Sequence, residues 1–204
     1  MPKTIQFCGD SFCADTCSNS WTTVLAGFLG ATLIGKGRGG TAYENIFNTF
    51  TSDATYSVFC WTDAHRLYLH DIDYDINYAT ALADRKKSLH HAAALAYFKV
   101  LYNTEYNLKR QYRELFWFDH DILAKSNTKA VHLFCFENTY SFTQGFTFPE
   151  PLINMFQHKH QLHDVNKNAT YVEDASYVNH LTHQDNKLLA EKVYSKFTDP
   201  LLFS

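Results

Sequence analysis

The chain has 204 residues, enough for one sizeable hydrophobic core and cramped for two, and 46% hydrophobic against 19% charged residues exclude a disordered chain. With 18 Lys and Arg against 21 Asp and Glu, the net charge of −3 supplies no field for a phosphate backbone, so nucleic acid is not an expected partner. No apolar run approaches a membrane span, and the first ten residues carry no secretory pattern, which predicts a cytoplasmic protein with no membrane partner.

In chain order, short apolar runs predict strands at Thr4–Cys8, Ala31–Ile34, Tyr56–Trp61 and Ala130–Phe136, with a weaker fifth at Ala169–Val172. Helical patterns fill the intervals. Trp21–Leu29 and Tyr43–Phe50 make the first crossovers, the second opened by a Thr41/Glu44 capping box. A larger crossover at about 77–128 holds two helical patterns, one with Leu89, Ala93, Ala96 and Val100 inward, the other with Leu108, Tyr112, Leu115 and Phe116. The last helix runs from about Thr182 to Phe197 on Leu188, Leu189, Val193 and Phe197, with Thr182 and Asp185 as its cap pair. This alternation predicts a single α/β domain, a three-layer α/β/α sandwich on a mainly parallel five-stranded sheet. In such sheets ligands bind at the carboxyl ends of the strands.

Four places at those ends carry candidate chemistry. The first strand exits through Gly9-Asp10-Ser11, where the glycine permits a sharp turn and the serine can either cap a helix or act as a nucleophile at a helix N-terminus. After the second strand, Gly35, Gly37, Gly39 and Gly40 gather four of the chain's eight glycines, which suits close backbone approach to a ligand and an N–H donor at Gly40. The third strand delivers Thr62, Asp63, His65 and Arg66 to the same edge. Before the last helix, His180 lies on a returning loop as a candidate general base, with His183 as its competitor.

In this order, these blocks resemble the SGNH hydrolases, the GDSL-type esterases and lipases, from residue 4 to about 195. The resemblance implies that Ser11 is the nucleophile, that His180 in His180-Leu181-Thr182 is the base, and that the N–H groups of Ser11 and Gly40 line an oxyanion hole. Two departures stand out. Thr62 occupies the place of the family's asparagine donor, and Tyr177 the place of the aspartate three residues before the base; Asp174, six before it, is the candidate third triad member, with a Ser11–His180 dyad as the alternative. Asp10, Asp63, His65 and Arg66 are candidate substrate contacts. The resemblance further implies an SGNH/flavodoxin-like fold and an esterase or carbohydrate deacetylase that takes a small-molecule or carbohydrate ester. It implies neither cofactor nor metal. The alternative from another class is a weak or inactive SGNH-fold binding or structural module.

Other motifs carry less. Asp71-Ile72-Asp73-Tyr74-Asp75 starts like a calcium loop but has Ile76 at the glycine position and Leu82 in place of the closing glutamate. His158, His160 and His163 lack the carboxylates or thiols that complete a metal set. The five cysteines are odd in number and read as reduced core residues; Cys13 and Cys17, four apart, could share a helix face.

Overall fold

Side chains alternate across the strands and so feed two separate cores. In β1 (Thr4–Gly9), Ile5 and Phe7 face one layer and Cys8 the other. The same division separates Val58 and Cys60 from Phe59 and Trp61 in β3 (Tyr56–Trp61), and Val131 and Leu133 from Ala130 and Phe134 in β4 (Lys129–Phe134). Every residue of β3 is buried, as a strand covered on both faces requires.

The computed structural model describes residues 2–69, 75–83, 89–156 and 177–203. With β2 (Thr32–Gly35) and β5 (Phe146–Thr147), the strands form one parallel sheet in the order β2-β1-β3-β4-β5. Helices cover both faces. On one, α1 (Trp21–Leu29) and α6 (His183–Phe197) bring Trp21, Leu25, Leu189 and Val193 against the sheet. On the other, α2 (Glu44–Thr49) and α5 (Thr104–Trp117) add Ile46 and Leu115 to a core rich in rings, where Phe47, Phe50, Phe59 and Trp61 all meet Phe118. The predicted α/β/α sandwich is therefore the observed fold. Two further helices, α3 (Tyr78–Ala83) and α4 (Leu89–Val100), pack through Ala81, Ala94 and Phe98 in the enlarged crossover. Among the described residues no helix is long and apolar enough to cross a membrane.

The ends of the helices follow from local chemistry. Ser20 accepts from Thr23 N to cap α1, and Gly30 ends it at a left-handed φ of 59°. Thr182 accepts from Asp185 N at 3.1 Å and caps α6 as the sequence predicts. The Thr41/Glu44 box does not form: Thr41 Oγ1 donates to Asp75 Oδ2 at 3.1 Å, and Tyr43 stands at the start of α2 without a side-chain cap.

Several other expectations need correction. The fifth strand of the sheet is Phe146–Thr147, while the predicted Ala169–Val172 lies outside the described residues. Leu89 and Val100 of α4 are exposed, as are Leu108, Tyr112 and Phe116 of α5. The inward stripe of α5 is instead Asn107, Gln111 and Leu115, because this helix covers the polar ends of strands as well as the core. Leu188 is also exposed, so the apolar face of α6 is narrower than expected.

Candidate active site

The chain leaves β1 through a position only glycine fits. A Cβ on Gly9 would lie 2.5 Å from the Cys60 carbonyl oxygen, so β1 and β3 could not close at this point. Asp10 follows and turns inward at 1% exposure, its Oδ1 accepting from Phe12 N at 3.1 Å and from Cys135 Sγ at 3.6 Å. Its carbonyl accepts from Cys13 N at 3.1 Å and closes a tight turn with Ser11 at the tip. Asp10 thereby braces the turn. No helix starts at Ser11, since the chain stays irregular until Ser20 caps α1, so both the helix-cap role and the helix dipole expected there are absent.

His180 reaches Ser11 from the far end of the sequence. Strands β6 (Tyr177–Val178) and β7 (Leu181–Thr182) pair antiparallel and leave a two-residue loop, Asn179-His180, with φ of 53° and 63°. Left-handed values at both loop positions define a type I′ hairpin, and Asn and His are among the side chains that tolerate them best. Asn179 locks the turn in place: its Oδ1 accepts from Asp15 N at 2.7 Å and its Nδ2 donates to Asp15 O at 3.2 Å. The imidazole packs on the Phe12 ring with centroids 4.8 Å apart. Its Nε2 stands 2.7 Å from Ser11 Oγ. Asn186 fixes the same end of α6, accepting from Trp21 N at 2.8 Å and donating to Leu181 O at 3.1 Å.

The glycine loop after β2 lies against the serine turn. Gly37 N donates to Cys13 O at 3.0 Å and Arg38 N to Gly9 O at 2.9 Å. A Cβ on Gly37 would lie 2.6 Å from Asp10 O, and one on Gly39 would lie 3.9 Å from Ser11 Cβ. Gly40 follows with φ of 72°, a value an L side chain resists. Asp75 anchors this loop: its N donates to Gly40 O at 2.9 Å, while its Oδ2 accepts from Ala42 N at 2.6 Å and its Oδ1 from Leu69 N at 2.8 Å. The sequence offered no signal for that role, because its contacts come from segments far apart in the chain.

The exit of β3 is beside the exit of β1, where Gly9 and Cys60 are paired. Thr62 is 3% exposed and its Oγ1 has no hydrogen-bond partner, although its carbonyl accepts from Gln111 Nε2 at 3.2 Å. Asp63 Oδ1 accepts from His65 N at 3.0 Å, and His65 Nδ1 is hydrogen-bonded to the Tyr102 hydroxyl. Arg66 is partly buried, with its Nε out of water and unpartnered. Nearby, Phe134, Phe136, Asn138, Tyr140, Thr147 and Phe148 help line a cleft of about 250 Å³, and Phe136 meets Phe12 with ring centroids 6.2 Å apart.

The alternative base has its partner elsewhere. His183 is exposed and its Nε2 lies 2.7 Å from Asn19 Nδ2. Asp174 and the histidines at 158, 160 and 163 lie outside the described residues. Among the described residues no group of His, Cys, Asp and Glu is arranged to hold a metal ion. Burial pushes the thiols of Cys13 and Cys135 well up, Cys8 to about 12 and Cys60 to about 11, which suits packing and not nucleophilic attack. Cys17 departs from the expected core role and from the expected helix: it is exposed and donates to Asn19 Oδ1 at 2.7 Å.

Fold and site together define a doubly wound α/β protein whose sheet order reverses between β1 and β3, with a serine and a histidine in contact at the carboxyl edge of that crevice. Comparison with protein-family models, with curated proteins and with solved structures finds no match to this chain.

Proposed function

We propose that the chain is a serine hydrolase of the SGNH type that cleaves an ester or acetyl group from a small molecule or carbohydrate. The observation that carries this reading is the 2.7 Å contact between Ser11 Oγ and His180 Nε2, made at the sheet edge where such folds hold ligands. His180 takes the Ser11 proton as Oγ attacks the acyl carbon, and returns it to the departing alcohol. Water, deprotonated by the same imidazole, then releases the acid from the acyl-enzyme. The negative charge on the carbonyl oxygen falls to the N–H groups of Ser11 and Gly40 and to the Thr62 hydroxyl. Two features support this assignment: Gly39 borders Ser11, and Thr62 keeps a buried hydroxyl without a partner. Asp174 is the proposed third member of the triad. The cleft that begins at Phe136 has room for part of the substrate. None of these steps calls on a cofactor.

A fluorophosphonate probe tests the reading directly. The full chain is expected to be labelled at Ser11, and Ser11→Ala and His180→Ala to lose labelling and at least about 10⁴-fold in esterase turnover. Folded wild-type protein that stays unlabelled beside a labelled control enzyme refutes the hydrolase and favours a binding module.

A further inference from the structure

The connection from β3 to β4, which carries the enlarged crossover, opens with a pinned segment. Leu67 and Ile76 pair antiparallel, Leu67 N donating to Ile76 O at 2.8 Å and Ile76 N to Leu67 O at 3.3 Å. Ile76 is fully buried in the satellite core with Ala81, Ala94 and Phe98, and Leu67 and Leu69 pack against the same cluster. Tyr102 ties that cluster back to the exit of β3: its ring meets Phe98 with centroids 5.3 Å apart, and its hydroxyl is hydrogen-bonded to His65 Nδ1.

Asp75, next to Ile76, joins this cluster to the glycine loop, and its side chain has no solvent contact. Oδ1 accepts from Leu69 N at 2.8 Å on the crossover side. On the loop side Oδ2 accepts from Ala42 N at 2.6 Å and from Thr41 Oγ1 at 3.1 Å, and Asp75 N donates to Gly40 O at 2.9 Å. Arg38 Nη2, 3.5 Å from Oδ2, gives the same carboxylate a cation. The near end of the loop is fixed separately, by Arg38 N on Gly9 O at 2.9 Å. Gly40 thus lies between two anchors, one on β1 and one on the crossover, at a φ of 72° that no side chain of its own stabilises. An oxyanion donor acts fully only when it is aimed beforehand, because an amide that must reorient during the reaction loses much of its effect. A buried carboxylate that takes up two backbone N–H groups and a hydroxyl supplies that aim.

We propose that Asp75 is a positioning residue for the oxyanion hole, and that the enlarged crossover aims the Gly40 N–H through it. The proposal rests on the hydrolase reading of Ser11 and His180. It goes further by making part of the hole depend on an element outside the sheet, the satellite core packed around Ile76.

Asp75→Asn keeps the shape of the side chain but sets an NH₂ group against one of the two backbone donors, Leu69 N or Ala42 N. It is expected to lower kcat on an acetyl ester by at least about tenfold with KM within about twofold, and to weaken binding of an alkyl boronic acid, whose adduct on Ser11 is tetrahedral, in the same proportion. Phe98→Leu, in the satellite core, should lower kcat in the same direction and add little to Asp75→Asn in the double variant, since both loosen one brace. If Asp75→Asn does not fold, Thr41→Val, which removes the hydroxyl that donates to Oδ2, is expected to give the same split between kcat and KM. A lower melting temperature with unchanged kcat per labelled Ser11 and unchanged boronate affinity overturns the proposal. Amide exchange reads the brace without catalysis: residues 38–42 should exchange at least about tenfold faster in Asp75→Asn or Thr41→Val while β1 and β3 keep their protection. Unchanged exchange there removes the brace even where Ser11 is labelled. Faster exchange in a protein whose wild-type Ser11 is never labelled leaves the brace and refutes the hydrolase reading, and the oxyanion role with it.

Discussion

Thr62 Oγ1 is a buried hydroxyl that no neighbour takes up, a costly arrangement for stability alone. Replacing it by the isosteric valine removes the unsatisfied atom while keeping the shape. Thr62→Val is therefore expected to unfold at equal or higher temperature than wild type, yet to lose about 3 kcal/mol of transition-state stabilisation, roughly a hundredfold in kcat with KM little changed. A melting curve and steady-state kinetics on an acetyl ester check both halves, and a variant that keeps full kcat removes Thr62 from the oxyanion hole. At this scale the sequence marked Ser11, Gly40 and His180 as candidates because each belongs to a short local pattern: Gly-Asp-Ser, a glycine cluster, and a histidine before a helix cap. Asp75 and Asn179 had no such mark. Their work consists of bonds to Gly40, Ala42, Leu69 and Asp15, which exist only once the chain is folded.

The hairpin β6–β7 is the element on which the base depends. Its two left-handed residues carry no glycine, so the turn conformation is held by Asn179's pair of bonds to the Asp15 backbone. Asn179→Ala removes both bonds and puts a side chain ill-suited to φ of 53° at that position; an expected loss of roughly 1–3 kcal/mol follows, along with a fall in kcat as His180 loses its aim at Ser11. Asn179→Gly separates the causes, since it keeps the turn and loses only the clamp. It should melt above Asn179→Ala while kcat stays low, as denaturation midpoints and turnover would record. Elements were legible in the sequence where one force dominated. The buried strands and α1 stood out as short apolar runs and a capped amphipathic stretch. β5 did not, because two residues hold no period; its one local sign was Gly145, at φ of 89°, where a side chain would strike the Ala130 carbonyl. The inner faces of α4 and α5 show no clean apolar stripe in the sequence because they meet polar rims and a small satellite cluster.

For the whole molecule, two titratable groups withdrawn from water, the buried His132 and the partly buried Glu44, make stability vary with pH, and they act in opposite directions. His132 lies between Phe59 and Phe142 in the second core; its Nδ1 accepts from Trp61 Nε1 at 3.1 Å, so the proton sits on Nε2 and is donated to Gln144 O at 2.9 Å. Burial pulls its pKa from 6.5 to about 3. Between those values the unfolded chain takes up a proton that the folded one refuses, so this group lowers stability as pH falls from 6.5 toward 3. Glu44 joins α2 to α5 through Arg110, and burial raises its carboxyl from 4.5 to about 7 despite that arginine. Here the folded state keeps a proton that the unfolded state has released. Its contribution is complete below 4.5 and is lost as pH rises through about 7. The two slopes oppose each other between 4.5 and 6.5, His132 acts alone below that range, and Glu44 acts alone above it. Urea midpoints across this range are expected to fall on both sides of a plateau. Glu44→Gln should remove the fall on the high side alone, so that its advantage over wild type grows from about pH 4.5 to about pH 7 and then levels. A wild-type midpoint that climbs from about pH 6.5 to about pH 7.5 would mean that Arg110 outweighs burial at Glu44 and that the α2–α5 contact is an ordinary ion pair.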